Sequence, residues 1–288
     1  MLISQAKVGR LEIYGIADAK PAPVDPTRSY PDVLRDAWAP YRRWLTAEGE
    51  FQPDLGCFVV RSPDGVALID AGIGPGPVPY LGNARGTLRE SLAELGLAFD
   101  DVTAVIFTHL HFDHVGWASV PDANGTMRPS FPRARYFVGE TEWAFWDRRP
   151  ASVMAHHLDA FARIVRPVEA AGLLTVVPDG SSPIEGFVYR GLPGNTPGHQ
   201  GVLATSGGHR CLFCADICHC PVQVEEPSWS HRSDVDAGAG RATRQAVFAE
   251  FADTDMLLAF GHFPRGSDLG HVTRAGSGWV WRPLGAGN

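Results

Sequence analysis

Apolar positions along this chain fall into short runs punctuated by Gly, Pro and Asp, and the runs carry two different periods. "GRLEIYGIAD" alternates and predicts an opening strand. "GCFVVRSPDGVALIDAG" holds two apolar runs joined by "SPDG", whose Pro and Gly suit turn dihedrals, so it reads as a β-hairpin. Leu88, Leu92, Leu95 and Leu97 recur near helical spacing, with Gly96 as the stop. "VTAVIF" is apolar throughout, as expected of a strand covered on both faces. Beyond it, "ARYFVG" and "TEWAFWDRR" read as strand then helix, and residues 151–172 as helices interrupted at Pro167. "LLTVVPDG", "GFVYRGLPG", "QGVLATSGGHRCLFCAD", "DMLLAFGHF" and "GWVWRPL" predict further strands, and "GRATRQAVFAEFAD" a helix. A Pro-rich, aromatic segment at about 20–53 follows neither period; irregular stretches this long in a compact domain usually serve as a lid, a binding loop or a subunit contact. The pattern predicts one α/β domain over residues 1–288, with two sheets and helices outside them.

Composition excludes several classes. A chain of 288 residues, 44% of them apolar, can bury a full core. The net charge of -7 and the lack of any Lys/Arg cluster along the sequence argue against a nucleic-acid partner. "MLISQAKVGRLEIYG" lacks the basic start and apolar core of a secretory signal, and no run approaches the ~20 apolar residues of a membrane span. The expectation is a cytoplasmic protein with no membrane partner. Five cysteines, four bunched in "RCLFCADICHC", read as packing, because a zinc ribbon needs two separated Cys pairs. No disulfide is predicted.

The chemistry concentrates in "THLHFDHVG", residues 108–116. His109 and His111 alternate on an extended backbone behind a buried strand, so both imidazoles can reach one ion. Asp113 and His114 follow and can serve a second ion about 3.5–4 Å away. His199 in "NTPGHQ", Asp216 in "LFCADICH" and His262 in "LLAFGHF" each stand after an apolar run or a tight turn, where a rigid element can aim them. No thiolate belongs to this set. Imidazole and carboxylate suit two divalent ions, zinc first, with manganese, iron or cobalt as alternatives.

These residues resemble the metallo-β-lactamase fold superfamily along nearly the whole chain. Its His-x-His-x-Asp-His signature matches His109 to His114, and its later His, Asp and His match His199, Asp216 and His262. "VALIDAG" is similar to the family's early strand-end Asp, here Asp70, which the resemblance places behind the ligands as their support. The likeness implies an αβ/βα four-layer sandwich of two mixed β-sheets flanked by helices. It implies that one ion takes His109, His111 and His199, that the other takes Asp113, His114 and His262, and that Asp216 bridges them.

Within the superfamily the chain is most similar to N-acyl homoserine lactone lactonases, the quorum-quenching enzymes, and to methyl parathion hydrolases. That likeness rests on "THLHFDHVGW", "FPRARYFVGETEWAFW" and "ADICHCPVQ" with the following "PSWSHRSDVDAGAGRATRQAVF". His219 stands where small lactonases carry Tyr, as a possible donor to the substrate carbonyl. The implied enzyme is a dinuclear hydrolase whose hydroxide nucleophile, formed on the metals, opens a neutral lactone or ester, with Asp216, Asp113 and His219 as its catalytic residues. A phosphotriester hydrolase is the alternative; a mononuclear iron persulfide dioxygenase is a more remote one. The partner is a small molecule, and the 20–53 segment would make a homodimer if it serves as a subunit contact. Trp38, Tyr41, Trp44, Trp117, Trp143, Trp146 and Phe263 are read mainly as core, while His156, His157, His209, His231 and His271 are read as surface or packing residues.

Overall fold

The opening alternation folds as one strand, β2 (Leu11–Ala19), and an unpredicted strand, β1 (Ser4–Val8), precedes it and pairs with it antiparallel. The "SPDG" turn joins β3 (Leu55–Ser62) to β4 (Gly65–Ile69) as its residues require. β5 (Val102–Ile106) is the apolar run before the histidine loop, and a small ribbon of β6 (Ser119–Pro121) and β7 (Met127–Pro129) follows that loop. With β8 (Arg135–Gly139) and β9 (Leu174–Val177) these make a seven-stranded sheet in the order β1-β2-β3-β4-β5-β8-β9, antiparallel through β4 and parallel from β4 onward. A six-stranded sheet follows in sequence order: β10 (Phe187–Gly191), β11 (Gln200–Ser206), β12 (His209–Phe213), β13 (Leu257–Ala259), β14 (Leu269–Ala275) and β15 (Gly278–Pro283). Only β12 and β13 run parallel there, because a 15-residue helix, Ala237–Phe251, lies within the connection between them. This computed structural model describes residues 3–151 and 153–285.

Three apolar layers hold the stack. Between the sheets lie Ile13, Phe58, Val60, Ile69 and Ile106 from one and Tyr189, Val202, Cys211, Phe213 and Leu269 from the other. Outside the first sheet, Leu88, Leu92, Trp146, Phe161 and Val165 pack their helices against Leu68, Val105 and Val138. Outside the second, Val247, Phe248 and Phe251 cover Leu212, Leu258 and Phe260. The architecture is therefore helix, sheet, sheet, helix, with both sheets mixed, as the resemblance implies.

β1, β6, β7 and β14 are strands the sequence reading did not predict. β14 breaks the expected apolar pattern with Gly270 and His271, and it pairs because β13 and β15 flank it on either side. The helices over 155–170 break at Pro167, as expected. Pro167 sits in the first turn of Arg166–Ala170, where a missing N–H costs nothing, and the irregularity is the π-helical turn Phe161–Val165 before it. The 20–53 segment is irregular as expected, apart from Pro26–Ser29 and the 3₁₀ stretch Arg35–Trp44. Val24 and Phe51 close it through two backbone hydrogen bonds of 2.8 Å. Tyr30, Trp38 and Trp229 pin it to the body of the protein, with ring centroids 5.1 and 4.8 Å apart along that chain of contacts.

The sheets also meet at one edge through polar contacts. The Gln200 N–H donates to Thr108 O at 3.0 Å, the Gly56 N–H to Gly261 O at 3.1 Å, and the Tyr189 hydroxyl to Phe107 O at 2.9 Å. Past this edge run the loops that leave β4, β5, β12 and β13 and the turn that enters β11.

Candidate metal centre

The residues predicted from sequence converge here from both sheets. His109, His111, Asp113 and His114 lie beyond β5; Asp216 and His262 lie beyond β12 and β13; His199 immediately precedes β11. All but Asp113 are buried. Potential ligand atoms of His109, His111 and Asp216 lie within 4.8 Å of one another, as do those of Asp113, His114 and His262 and those of Asp216, His219 and His262. Asp216 stands between the groups. Its Oδ1 is 3.2 Å from His114 Nε2 and 3.1 Å from His262 Nε2, and its Oδ2 is 3.6 Å from His109 Nε2 and 3.1 Å from His219 Nε2. His199 takes its place beside His109, ring centroids 4.9 Å apart, with its Nε2 accepting from the Asp216 backbone N–H at 3.1 Å.

Each of four imidazoles is anchored by one nitrogen so that the other faces inward. Nδ1 of His114 is 2.8 Å from Asp70 Oδ2, of His199 2.9 Å from Leu192 O, of His262 3.0 Å from Asp54 O and of His109 3.1 Å from Thr108 Oγ1. Where the partner is a carboxylate or carbonyl, Nδ1 must be the donor, which leaves the inward Nε2 with a lone pair. The Nε2 atoms of His109, His114 and His262 and Oδ1 of Asp216 are buried with no hydrogen-bond partner. Buried acceptors left unpaired and aimed at one another are costly unless a cation sits among them. The donor set therefore fits divalent metal.

Burial pushes His109 and His111 well below the usual imidazole range and His199 to about 4, which keeps them in the neutral, ligating form. Burial alone would raise Asp216, yet His114, His262, His219 and His109 hold its carboxyl well below the ordinary range.

Behind the ligands the backbone is tightly specified. Asp70 accepts from the Thr108 N–H and hydroxyl, both at 2.8 Å, as well as facing His114. Ala215, at φ +45°, occupies the left-handed region that a side chain rarely adopts, and this kink turns Asp216 toward the cluster. Gly116 leaves no room for a side chain, since a Cβ there would stand 2.0 Å from the Ile73 carbonyl carbon.

Several supporting groups gave no signal in the sequence. Glu142 is fully buried and accepts from Leu110 N–H at 2.8 Å, Trp146 Nε1 at 2.6 Å and Thr196 Oγ1 at 2.6 Å, so it ties the histidine loop to the turn that carries His199. Burial pushes its carboxyl up to about 7. Asp18 likewise accepts from Ile73 N–H, Leu88 N–H and Trp117 Nε1 at 2.6 to 2.9 Å. His157 stacks on His111 at 4.0 Å and His231 on His219 at 3.8 Å, so these two belong to the site and not to the general surface. Only the fold brings them there.

The centre opens into a cleft of about 420 Å³. Its wall is Val24, Phe51, Leu55, Tyr80, Leu81, Phe112 and Met154. Of the aromatic residues noted in the sequence, Trp38 packs within the 20–53 segment, Trp117 and Trp146 under the first sheet and Phe263 under the second. The free cysteines are all buried in these cores.

Fold and donor set define a metallo-hydrolase domain. Residues 57–262 match the Metallo-beta-lactamase superfamily, and the chain belongs to that superfamily. A probable metallo-hydrolase of Mycobacterium bovis is 26% identical over 187 residues, covering 55% of this chain and 54% of that protein. The chain spans about half the length of the curated relatives that it matches there. Among solved structures, the hydrolase AbOPH superposes with a TM-score of 0.85 at 23% identity, covering 100% of this chain and 99% of its own. AidC, described as a dizinc quorum-quenching lactonase in complex with a product, superposes with a TM-score of 0.83 at 22% identity over 99% of this chain and 98% of its own. Among the described residues no helix is long and apolar enough to cross a membrane.

Proposed function

We propose that this chain is a dinuclear metal-dependent hydrolase that opens a lactone or ester at the carbonyl. The observation that carries the reading is Asp216, whose two carboxylate oxygens face different imidazole sets, Oδ1 toward His114 and His262 and Oδ2 toward His109. One carboxylate shared between two sets of imidazoles suits a pair of ions. His109, His111 and His199 would hold one; Asp113, His114 and His262 the other. Zinc agrees best with these donors, and the description of AidC supports both the metal and the lactone. When bound, the ions would supply Lewis acidity, lowering the pKa of water toward about 7 and stabilising charge on the carbonyl oxygen.

The protein's own groups do the rest. Asp70 holds His114 in one tautomer. His219, with Nε2 between Asp216 Oδ2 and Ser233 Oγ at 3.1 Å each, orients the shared carboxylate, and Oδ2 would relay the proton given up by the attacking water to the departing oxygen. That placement makes His219 a partner of Asp216 more than a free donor to the carbonyl. The 20–53 segment, part of the same domain, contributes Val24 and Phe51 to the cleft and so acts as a binding wall. Metal content of the purified protein, with kcat/KM for a medium-chain acyl lactone, an aryl ester and a neutral phosphotriester at fixed metal load, tests the reading. Two transition-metal ions per chain and fastest turnover of the lactone or ester support it. A phosphotriester turned over tenfold faster overturns the substrate, and a single iron with no hydrolysis overturns the class.

A further inference from the structure

The linear sequence contains no Lys/Arg cluster, but the fold brings two arginines, far apart in sequence, to one cleft. Arg28, in the short helix Pro26–Ser29, and Arg232, some two hundred positions later, both line the cleft. Their backbones are joined where the Arg232 N–H donates to Ser29 O at 2.9 Å. Both side chains are exposed, and among the described residues neither is paired with a carboxylate.

The acids around them are already engaged. Asp25, beside Arg28, bonds Thr27 and Arg35. Of the carboxylates that line the cleft, Asp113 and Asp216 belong to the metal centre, and Asp54 lies 3.4 Å from Arg265. The positive charge of Arg232 reaches His156 and His231, two further cleft residues, and adds to the burial that lowers both. A chain of net charge -7 thus keeps two unneutralised guanidinium groups on the open wall of its cleft, while the metal donors occupy the buried floor.

We propose that Arg28 and Arg232 recognise a carboxylate at the far end of the substrate's acyl arm. The inference rests on the hydrolase reading above and names the substrate class more narrowly: an ester or lactone whose acyl chain ends in an anion. Val24, Phe51, Tyr80, Leu81 and Met154 would accompany the methylene chain. Guanidinium groups match a carboxylate in shape as well as charge, through paired N–H donors. Attraction at an exposed wall also raises the encounter rate and is screened by salt.

The test compares two aryl esters of equal acyl length, one ending in a methyl group and one in a carboxylate, on the zinc-loaded protein. With two exposed ion pairs, the carboxylate ester is preferred in kcat/KM by roughly tenfold at low ionic strength. That ratio shrinks at high salt, collapses toward unity in the double variant Arg28→Gln/Arg232→Gln and persists in Arg28→Lys/Arg232→Lys. A ratio near unity in the parent protein, or one that the Gln variant retains, overturns the proposal. Calorimetric titration with the two corresponding acyl amides, which are not hydrolysed, reads the same discrimination as binding. If neither ester is cleaved but the carboxylate amide binds more tightly and loses that advantage in the Gln variant, the hydrolase reading fails and the anion site stands.

Discussion

The Nε2 of His262 lies 3.1 Å from Oδ1 of Asp216, and both atoms are buried without a hydrogen-bond partner. An imidazole nitrogen and a carboxylate oxygen at this separation need a positive charge between them. Burial lowers His262, but Asp216 outweighs it and raises the imidazole above its usual range, so a proton holds the pair in the bare chain and a metal ion would displace it. Asp216→Asn and His109→Ala are each expected to lose metal and hydrolytic activity together, since removing one ligand weakens the whole cluster. Metal analysis alongside kcat/KM checks this; wild-type metal content with full activity in either variant would refute the ligand assignment.

Asp70 acts through His114. Asp70→Asn keeps the volume of the side chain but replaces one acceptor with a donor, so either the bond from the Thr108 N–H or the pair of bonds from the Thr108 hydroxyl and His114 is lost. Metal affinity should fall by about 10- to 100-fold with the protein still folded. Competition with a chelator of known affinity measures it, and unchanged affinity would show that the contact is only structural.

Glu142 satisfies three buried donors at once. Glu142→Ala leaves them unpaired and is expected to cost about 3 kcal/mol or more in unfolding free energy. Urea denaturation of the metal-free proteins isolates this from metal binding; a loss below about 1 kcal/mol would mean that water or rearrangement replaces the carboxylate.

Burial pushes Asp18 up to about 6, even though Ile73, Trp117 and Leu88 donate to it. The folded chain then binds a proton there more tightly than the unfolded chain, whose Asp titrates near 4. A raised acid contributes stability that is complete below the unfolded value and lost as pH climbs to the folded one. Between pH ~4 and ~6 the wild type should therefore lose up to about 3 kcal/mol relative to Asp18→Asn, which has no charge to desolvate. Unfolding midpoints of both proteins across that range test the sign, and a constant difference would refute it.

Much of this was legible in the sequence because strand ends and ligand chemistry leave local marks. His109 to His114 announce themselves within six positions, and the hairpin turn at Pro63 and Gly65 names its own geometry. β14 did not, since Gly270 and His271 interrupt its apolar pattern and pairing with its neighbours decides its conformation. Nor did Glu142, Asp18, Arg28 or Arg232. A buried carboxylate or an exposed arginine looks ordinary until tertiary structure supplies its partners, and Glu142, Asp18 and Arg232 each meet residues more than thirty positions away.

The polar contacts that join the sheet edges, Gln200 to Thr108 and Tyr189 to Phe107, put the ligands on a seam, four supplied by one sheet and three by the other. Such a seam behaves as a vernier. A slip between the sheets too small to expose their core would still shift His109 and Asp216 out of register. Substitutions deep between the layers, at Phe58 or Phe213, whose rings meet at 5.2 Å, would then be felt first as altered metal occupancy and only later as unfolding.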